Sequence, residues 1–113
     1  MNKRRRYDMV ANVFVIGLGL IGGSLGLALR GTRPVKTVNG FDIDPQTLQQ
    51  ALQIGAIDAG VTLTVGAAEA DVIIICAPLR FYPGIIEEIK PYLKPGCIVT
   101  DVGSTKQPVM QLF

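Results

Sequence analysis

The sequence contains no histidine. Histidine is the commonest general base near neutral pH and the commonest metal ligand in proteins, so the chain lacks the usual residue for both tasks, and we expect no metal site. Cysteine is scarce as well: Cys76 and Cys97 both lie in apolar runs. They indicate small buried thiols in a reducing compartment, which we take to be the cytoplasm, and they argue against a disulfide framework.

Excess charge of one sign is also missing, because the net charge of the 113 residues is only +2. Such a balance argues against a nucleic-acid partner or an acidic lipid surface. Four of the basic residues are consecutive, from Lys3 to Arg6. We interpret residues 1–9 as a solvated basic arm, since the cluster lacks the interleaved aromatic residues of a single-strand binder.

The basic cluster and the apolar stretch from Val13 to Leu29 together imitate a signal peptide or a short membrane span. The stretch reaches only the lower limit of spanning length, about 17 residues. It also contains five glycines, whose spacing has a better explanation given below. We therefore expect no membrane partner.

Strand-like and helix-like patterns alternate along the chain. Four apolar runs rich in β-branched residues predict buried strands, at Val10–Ile16, Thr37–Phe41, Val72–Cys76 and Cys97–Asp101. Helical spacing predicts helices at Gly22–Arg30, from Asp44 to Gly55, at Phe81–Leu93 and at Gln107–Phe113. The segment between Ile57 and Ala70 is less regular, and we expect a short strand at Val61–Val65 and one helical turn at Ala67–Ala70.

This alternation is typical of the α/β class. We expect a Rossmann-type doubly wound parallel sheet between two helical layers, a three-layer α/β/α arrangement. Residues 10–113 would form the first part of a nucleotide-binding domain.

The glycines fit one dinucleotide-binding motif, since Gly17-Leu18-Gly19-Leu20-Ile21-Gly22 has the form G-x-G-x-x-G. The motif follows a predicted strand and opens a predicted helix, which is the context it requires. Gly17 permits a tight turn, Gly19 lets the backbone approach a pyrophosphate, and Gly22 allows close helix packing. We assign cofactor contacts to Gly17, Gly19, Leu20, Ile21 and Gly22; the alternative is that the glycines serve packing alone.

Asp42 ends the second predicted strand, twenty positions after Gly22. Dinucleotide sites place a ribose-binding carboxylate there, and such a carboxylate repels a 2′-phosphate. The alternative for Asp42 is a turn or helix-capping acid, and the cap suits Asp44 better because Pro45 follows it. No lysine or arginine occurs between Lys36 and Arg80, so the sequence favours NAD over NADP.

The segment Cys76-Ala77-Pro78-Leu79 follows the clearest predicted strand. Ligands of doubly wound sheets bind outside the carboxyl ends of the strands. We therefore expect Cys76, Ala77, Pro78 and Leu79 to line the cofactor cleft, although Pro78 also fits a simple strand stop.

The last predicted strand runs into Asp101-Val102-Gly103-Ser104-Thr105-Lys106. Together with the glycine loop, Gly40-Phe41-Asp42 and Gly55-Ala56-Ile57-Asp58, this segment resembles the prephenate/arogenate dehydrogenase family of tyrosine biosynthesis. The resemblance implies oxidative decarboxylation with hydride transfer to NAD. It implies a catalytic role for Ser104, orienting the reacting hydroxyl of prephenate or arogenate. Ser104 also fits a helix cap.

The chain departs from that family in lacking the catalytic histidine and the helical substrate and dimerisation domain. The resemblance therefore implies a C-terminally truncated cofactor domain of a longer, homodimeric enzyme, with this chain inactive alone. Two alternatives remain from the sequence: the cofactor domain of another β-hydroxyacid-type dehydrogenase, and a non-catalytic nucleotide-binding module.

Overall fold

The computed structural model describes residues 11–32 and 34–101. Five strands occupy Ala11–Ile16 (β1), Val35–Phe41 (β2), Ala59–Gly60 (β3), Val72–Ile75 (β4) and Ile98–Asp101 (β5). Four α-helices occupy Leu20–Leu29 (α1), Pro45–Gln53 (α2), Leu63–Glu69 (α3) and Tyr82–Ile89 (α4). Short 3-10 turns at Leu79–Phe81 and Lys90–Tyr92 flank α4. The predicted basic arm, the predicted helix at Gln107–Phe113 and Ser104 lie outside the described residues.

The strands form one parallel sheet in the order β3-β2-β1-β4-β5. The chain first winds outward from β1 to β3 and then returns to the other side of β1. This is the strand order of a doubly wound sheet, and its direction reverses between β1 and β4. A crevice is therefore expected where the loops after these two strands diverge.

The two faces of the sheet carry separate cores. On one face Phe14, Ile73 and Ile75 pack with residues of α3 and α4, Ala67 and Ile89 among them. The other face packs against α1 and α2, through residues that share alternate positions on the strands: Val13, Val15, Val38 and Ile74. The predicted three-layer α/β/α arrangement is confirmed. No helix within residues 11–32 and 34–101 is long and apolar enough to cross a membrane.

Local signals placed several element ends correctly. Asp44 caps α2, since its carboxylate accepts a hydrogen bond from the backbone N–H of Gln46 at 3.0 Å, and Pro45 is the first helical residue. Gly55 follows α2 with a φ of +80°, a conformation that glycine adopts without strain. Pro91 lies in the 3-10 turn that replaces the last turn of the predicted helix.

The segment between Ile57 and Ala70 differs from its prediction. Val61–Val65 is not a strand, and the helix covers two turns instead of the single turn expected at Ala67–Ala70. The hydroxyl of Thr62 accepts a hydrogen bond from Val65 N–H at 3.2 Å and so begins α3. The strand lies earlier, at β3, where Asp58 prolongs the pairing with β2 through both its N–H and its carboxylate, bonded to Val38.

Candidate functional site

A cleft of about 780 Å³ opens at the carboxyl ends of β1, β2 and β4. Its position is the reversal point of the strand order, and its volume is typical of a small-molecule site. Six of the predicted cofactor residues line it, in three groups that each follow one strand: Gly17 and Gly19, then Asp42, then Cys76, Ala77 and Pro78. The fold thus brings together residues that are up to 61 positions apart.

Gly17 makes the turn that leaves β1. Its φ is +97°, and a Cβ there would lie 3.0 Å from both the backbone nitrogen of Ala77 and the carbonyl carbon of Cys76. Its N–H donates to the carbonyl oxygen of Phe41 at 2.8 Å. Both the conformation and the close approach of the loop after β4 therefore require glycine at this position.

Gly22 allows the first turn of α1 to lie in close contact with the turn at Gly17. A Cβ at Gly22 would overlap the carbonyl oxygen of Gly17, so the helix begins directly behind the loop. The hydrogen bond from Gly23 N–H to Gly19 oxygen, at 2.8 Å, opens the helical pattern. The N–H groups at the start of a helix have no partner within it and carry partial positive charge, which attracts an anion.

Gly19, by contrast, is not required by the protein's own packing. Its backbone is extended, with φ −70° and ψ −152°, and a Cβ there would meet nothing within 4 Å. The open space beside Gly19 faces the cleft. The position is therefore one where an added side chain would obstruct a ligand and nothing else.

The side chains of Leu20 and Ile21 project from the first turn of α1. Leu20 is 88% exposed and Ile21 is 54% exposed, and neither contributes to the cleft wall as the structure describes it. Gly22 and Leu79 are also outside that wall. Any contact of these four residues with a cofactor would therefore come from the backbone or from a ligand that extends past the cleft.

Asp42 lies at the cleft with both carboxylate oxygens engaged. Its Oδ2 accepts a hydrogen bond from Leu18 N–H at 2.7 Å, and its Oδ1 accepts one from Asp44 N–H at 2.9 Å. Because an ionised carboxylate can accept about four hydrogen bonds, two remain for a ligand hydroxyl. Asp44 takes the predicted role of helix cap, while the bond from Asp44 N–H shows that Asp42 also holds the turn between β2 and α2, the alternative role considered for it.

Cys76 begins the loop after β4. It is half-buried instead of buried as predicted, because β4 ends at Ile75 and the next residue opens on the cleft. Its N–H donates to the carbonyl oxygen of Ile16 at 2.7 Å, which holds the loop against β1. Burial, reinforced by the nearby carboxylate of Asp101, raises the pKa of the Cys76 thiol to about 11. The thiol is therefore neutral at physiological pH and is a poor base or nucleophile.

Asp101 and Tyr82 lie next to Cys76. Asp101 is buried, and its Oδ2 has no hydrogen-bond partner among the described residues. The hydroxyl of Tyr82 donates to the carbonyl oxygen of Ile75 at 3.3 Å. Burial and the Asp101 carboxylate raise the pKa of Tyr82 above its ordinary range, so this hydroxyl also stays neutral at physiological pH.

The far wall of the cleft was missed by sequence reasoning. It is formed by residues that follow β2, begin α3, or lie on α4 or in the 3-10 turn before it, among them Ile43, Thr62, Leu63, Phe81, Ile85 and Glu88. The spacing of Phe81 and Ile85, four positions apart in the helix predicted at Phe81–Leu93, was an available signal. The described wall carries two acidic residues, Asp42 and Glu88, and no lysine or arginine.

Comparison with known proteins gives a consistent family. Residues 25–112 match the family model described as prephenate dehydrogenase, nucleotide-binding domain. The chain is 37% identical over 101 residues to a prephenate dehydrogenase of Lactococcus lactis, covering 88% of this chain and 28% of that protein. It is 36% identical over 105 residues to the prephenate dehydrogenase of Bacillus subtilis, covering 91% and 28%. The chain thus spans less than a third of the length of these relatives.

Solved structures agree. Prephenate dehydrogenase from Aquifex aeolicus, in complex with hydroxyphenyl propionate and NAD+, matches with a TM-score of 0.75 and 30% identity, over 87% of this chain and 35% of that one. Arogenate dehydrogenase from Synechocystis matches with a TM-score of 0.72 and 31% identity, over 90% and 37%. These neighbours have the doubly wound fold predicted for this chain.

Proposed function

The chain belongs to the prephenate dehydrogenase family and matches its nucleotide-binding domain, and from this premise we propose that its cleft binds NAD for an enzyme that oxidises prephenate or arogenate. The family match favours this function over the cofactor domain of another β-hydroxyacid-type dehydrogenase. NAD would supply the acceptor for a hydride. The residues of this chain would bind and orient it.

Gly19 is the observation that carries the proposal. Gly19 lies in extended backbone at the N-terminus of a ten-residue helix, with open space where its side chain would be, so the protein's own packing does not require glycine there. A pyrophosphate beside Gly19 would meet the N–H groups of the first turn of α1, from Leu20 to Gly22. The exposure of the Leu20 and Ile21 side chains leaves this backbone accessible.

The strand order indicates where each end of the dinucleotide would lie. Asp42 follows β2, so the adenosine ribose would lie on that side, with the apolar wall of Ile43 and Leu63 nearby. The nicotinamide would then lie on the side of β4 and β5, past Cys76 and Ala77. Pro78 lines the same cleft, which supports a contact role beyond ending the strand.

NAD is favoured over NADP by charge. The Asp42 carboxylate would accept hydrogen bonds from ribose hydroxyls and would repel a 2′-phosphate. The described cleft wall offers no lysine or arginine to compensate such a phosphate.

Several features of the whole enzyme belong to the proposal and extend past this chain. The reaction would pass a hydride from the ring carbinol carbon to NAD, with removal of the hydroxyl proton and loss of carbon dioxide. Ser104, which lies outside the described residues, would orient that hydroxyl. We assign residues 10–113 to the cofactor domain, and we infer that the enzyme is a cytoplasmic homodimer.

Calorimetric titration of the purified chain with NAD and with NADP tests the proposal. We expect saturable 1:1 binding of NAD and clearly weaker binding of NADP. In the Asp42→Ala variant, the difference between the two affinities should be smaller. Binding of neither dinucleotide would contradict the cofactor function. Equal affinities for the two would leave the cofactor function standing and contradict the assignment of Asp42.

A further inference from the structure

The hydrogen bond between Leu18 N–H and Asp42 Oδ2, at 2.7 Å, links the glycine loop to the end of β2. A second bond runs parallel to it, from Gly17 N–H to the carbonyl oxygen of Phe41 at 2.8 Å. Gly17 is thus held by Phe41, the last residue of β2, and Leu18 is held by Asp42, the residue that follows. One of these two bonds uses a backbone acceptor, and the other depends on the side chain at position 42.

Leu18 is fixed on its other side by packing. Its side chain is 4% exposed and sits in the core beneath α1 and α2. A Cβ at Gly40 would lie 3.0 Å from the Cδ atoms of Leu18, so this side chain fills the space above β2. With the Leu18 side chain anchored in the core and the Leu18 N–H anchored to Asp42, the peptide between Gly17 and Leu18 has little freedom to rotate, and it fixes the direction in which the chain enters Gly19.

We propose that Asp42 is a positioning residue for the phosphate-binding loop as well as a ribose ligand. This proposal rests on the proposed NAD function. In it, Asp42 Oδ2 fixes the orientation of the loop, so that the Gly19 backbone and the start of α1 are aligned before the pyrophosphate binds. Binding to a preformed loop avoids the free-energy cost of ordering it. The two tasks are compatible, because the carboxylate retains acceptor capacity after its bonds to Leu18 and Asp44.

This double role has a consequence for cofactor specificity. If Asp42 contacted only the ribose, a neutral substitute would relieve the repulsion of a 2′-phosphate and improve NADP binding. If Asp42 also holds the loop, the same substitution misaligns the pyrophosphate site that both dinucleotides use. Replacement of Asp42 alone would then narrow the gap between NAD and NADP mainly by weakening NAD, with little gain in NADP affinity.

An NAD analogue whose adenosine ribose lacks the 2′ and 3′ hydroxyls separates the two roles, since it cannot use Asp42 as a ribose ligand. We expect Asp42→Ala to bind this analogue about tenfold more weakly than the unmodified chain, from loss of one charge-assisted hydrogen bond in the loop. Asp42→Asn should recover most of that affinity, because its amide oxygen can accept from Leu18 N–H. Asp44→Ala removes the neighbouring carboxylate and the α2 cap, leaves the Leu18 bond intact, and should bind the analogue like the unmodified chain.

Equal affinity of Asp42→Ala and the unmodified chain for the analogue, with a loss confined to NAD, would overturn the positioning role. Failure of the unmodified chain to bind NAD would instead contradict the proposed function. Amide hydrogen exchange on the ligand-free, unmodified chain tests the Leu18–Asp42 hydrogen bond directly. This measurement does not depend on whether a variant folds. We expect Leu18 N–H to exchange about as slowly as Gly17 N–H, and exchange as fast as that of an exposed loop amide would contradict the proposal.

Discussion

Gly26 of α1 leaves no room for a side chain between its backbone and the carbonyl group of Ala56. A Cβ at this position would overlap the carbonyl oxygen and lie 3.1 Å from the carbonyl carbon. The helix that follows the glycine loop therefore rests backbone against backbone on the turn between α2 and β3. This contact sets how far α1 lies from the sheet, and with it where the N-terminus of α1 meets the cleft.

Gly26→Ala is expected to destabilise the fold. Alanine favours a helix by about 1 kcal/mol over glycine, but overpacking against a backbone atom that cannot rotate away costs about 1–3 kcal/mol. The steric cost should win and lower the midpoint of urea unfolding. Gly23→Ala, in the same helix, is the matched control, because its Cβ would lie 3.6 Å from Leu18 oxygen, an ordinary contact. Stabilisation by both substitutions would show that α1 is not held against Ala56.

Gly19→Val is expected to abolish dinucleotide binding while the domain still folds. The new side chain would enter open space, so the free energy of unfolding should change by no more than about 1 kcal/mol, the range of N-cap effects. Circular dichroism on heating and NAD titration measure the two quantities separately. Ala28→Val adds similar bulk at an exposed position of the last turn of α1 and should bind NAD normally. Unchanged NAD affinity in Gly19→Val would place the phosphates elsewhere.

Asp71 is expected to contribute to the acid limit of stability. Its Oδ2 accepts from Asn12 N–H at 2.8 Å, and its Oδ1 pairs with Lys94 Nζ at 2.8 Å. The Asn12 bond first, and Lys94 second, hold the pKa of Asp71 below its ordinary value of 3.8. A carboxyl with a lowered pKa in the folded state stabilises the fold above the unfolded-state pKa, and this contribution is lost as pH falls through the folded-state pKa.

The Asp71→Asn variant should therefore have a lower free energy of unfolding than the unmodified chain at neutral pH. When the pH falls below 3.8, that free energy should decrease less in the variant than in the unmodified chain. Urea unfolding at neutral pH and at acid pH gives the comparison. Glu87→Gln, an exposed carboxylate of α4, should leave the pH dependence nearly unchanged. If the free energy of unfolding fell with pH in parallel for Asp71→Asn and the unmodified chain, Asp71 would not contribute to the loss of stability in acid.

Sequence reasoning succeeded where the cause of a structure is local. Gly17 and Asp44 each act on their own turn, through a positive φ and a helix cap, and each was placed correctly. It failed at β3, because a two-residue strand is defined by its pairing with β2, Asn39 with Ala59 and Gly40 with Gly60, each twenty positions apart. It also missed the cleft wall of Thr62 and Ile85, which exists only because α3 and α4 pack on the same face of the sheet as Phe14.

The 113-residue chain, by itself, is expected to bind NAD without oxidising prephenate or arogenate. Hydride leaves a carbinol carbon readily only if the hydroxyl proton is removed during the transfer, and a positioned base contributes about 10²–10⁴-fold to such a step when its pKa is near the working pH. The sequence has no histidine to meet this condition.

The polar groups that the structure places at or beside the described cleft do not replace that base. Burial raises the pKa of Cys76 to about 11 and that of Tyr82 further still, so both hold their protons at neutral pH. Carboxylates in general are weak bases toward an alcohol. NADH formation, followed by its absorbance with saturating prephenate and separately with arogenate, should stay at the background of the enzyme-free mixture while NAD binding is measured in the same sample. Turnover in the ordinary enzymatic range, about 1–10³ per second, would mean that the chain holds a base that its geometry and its composition do not reveal.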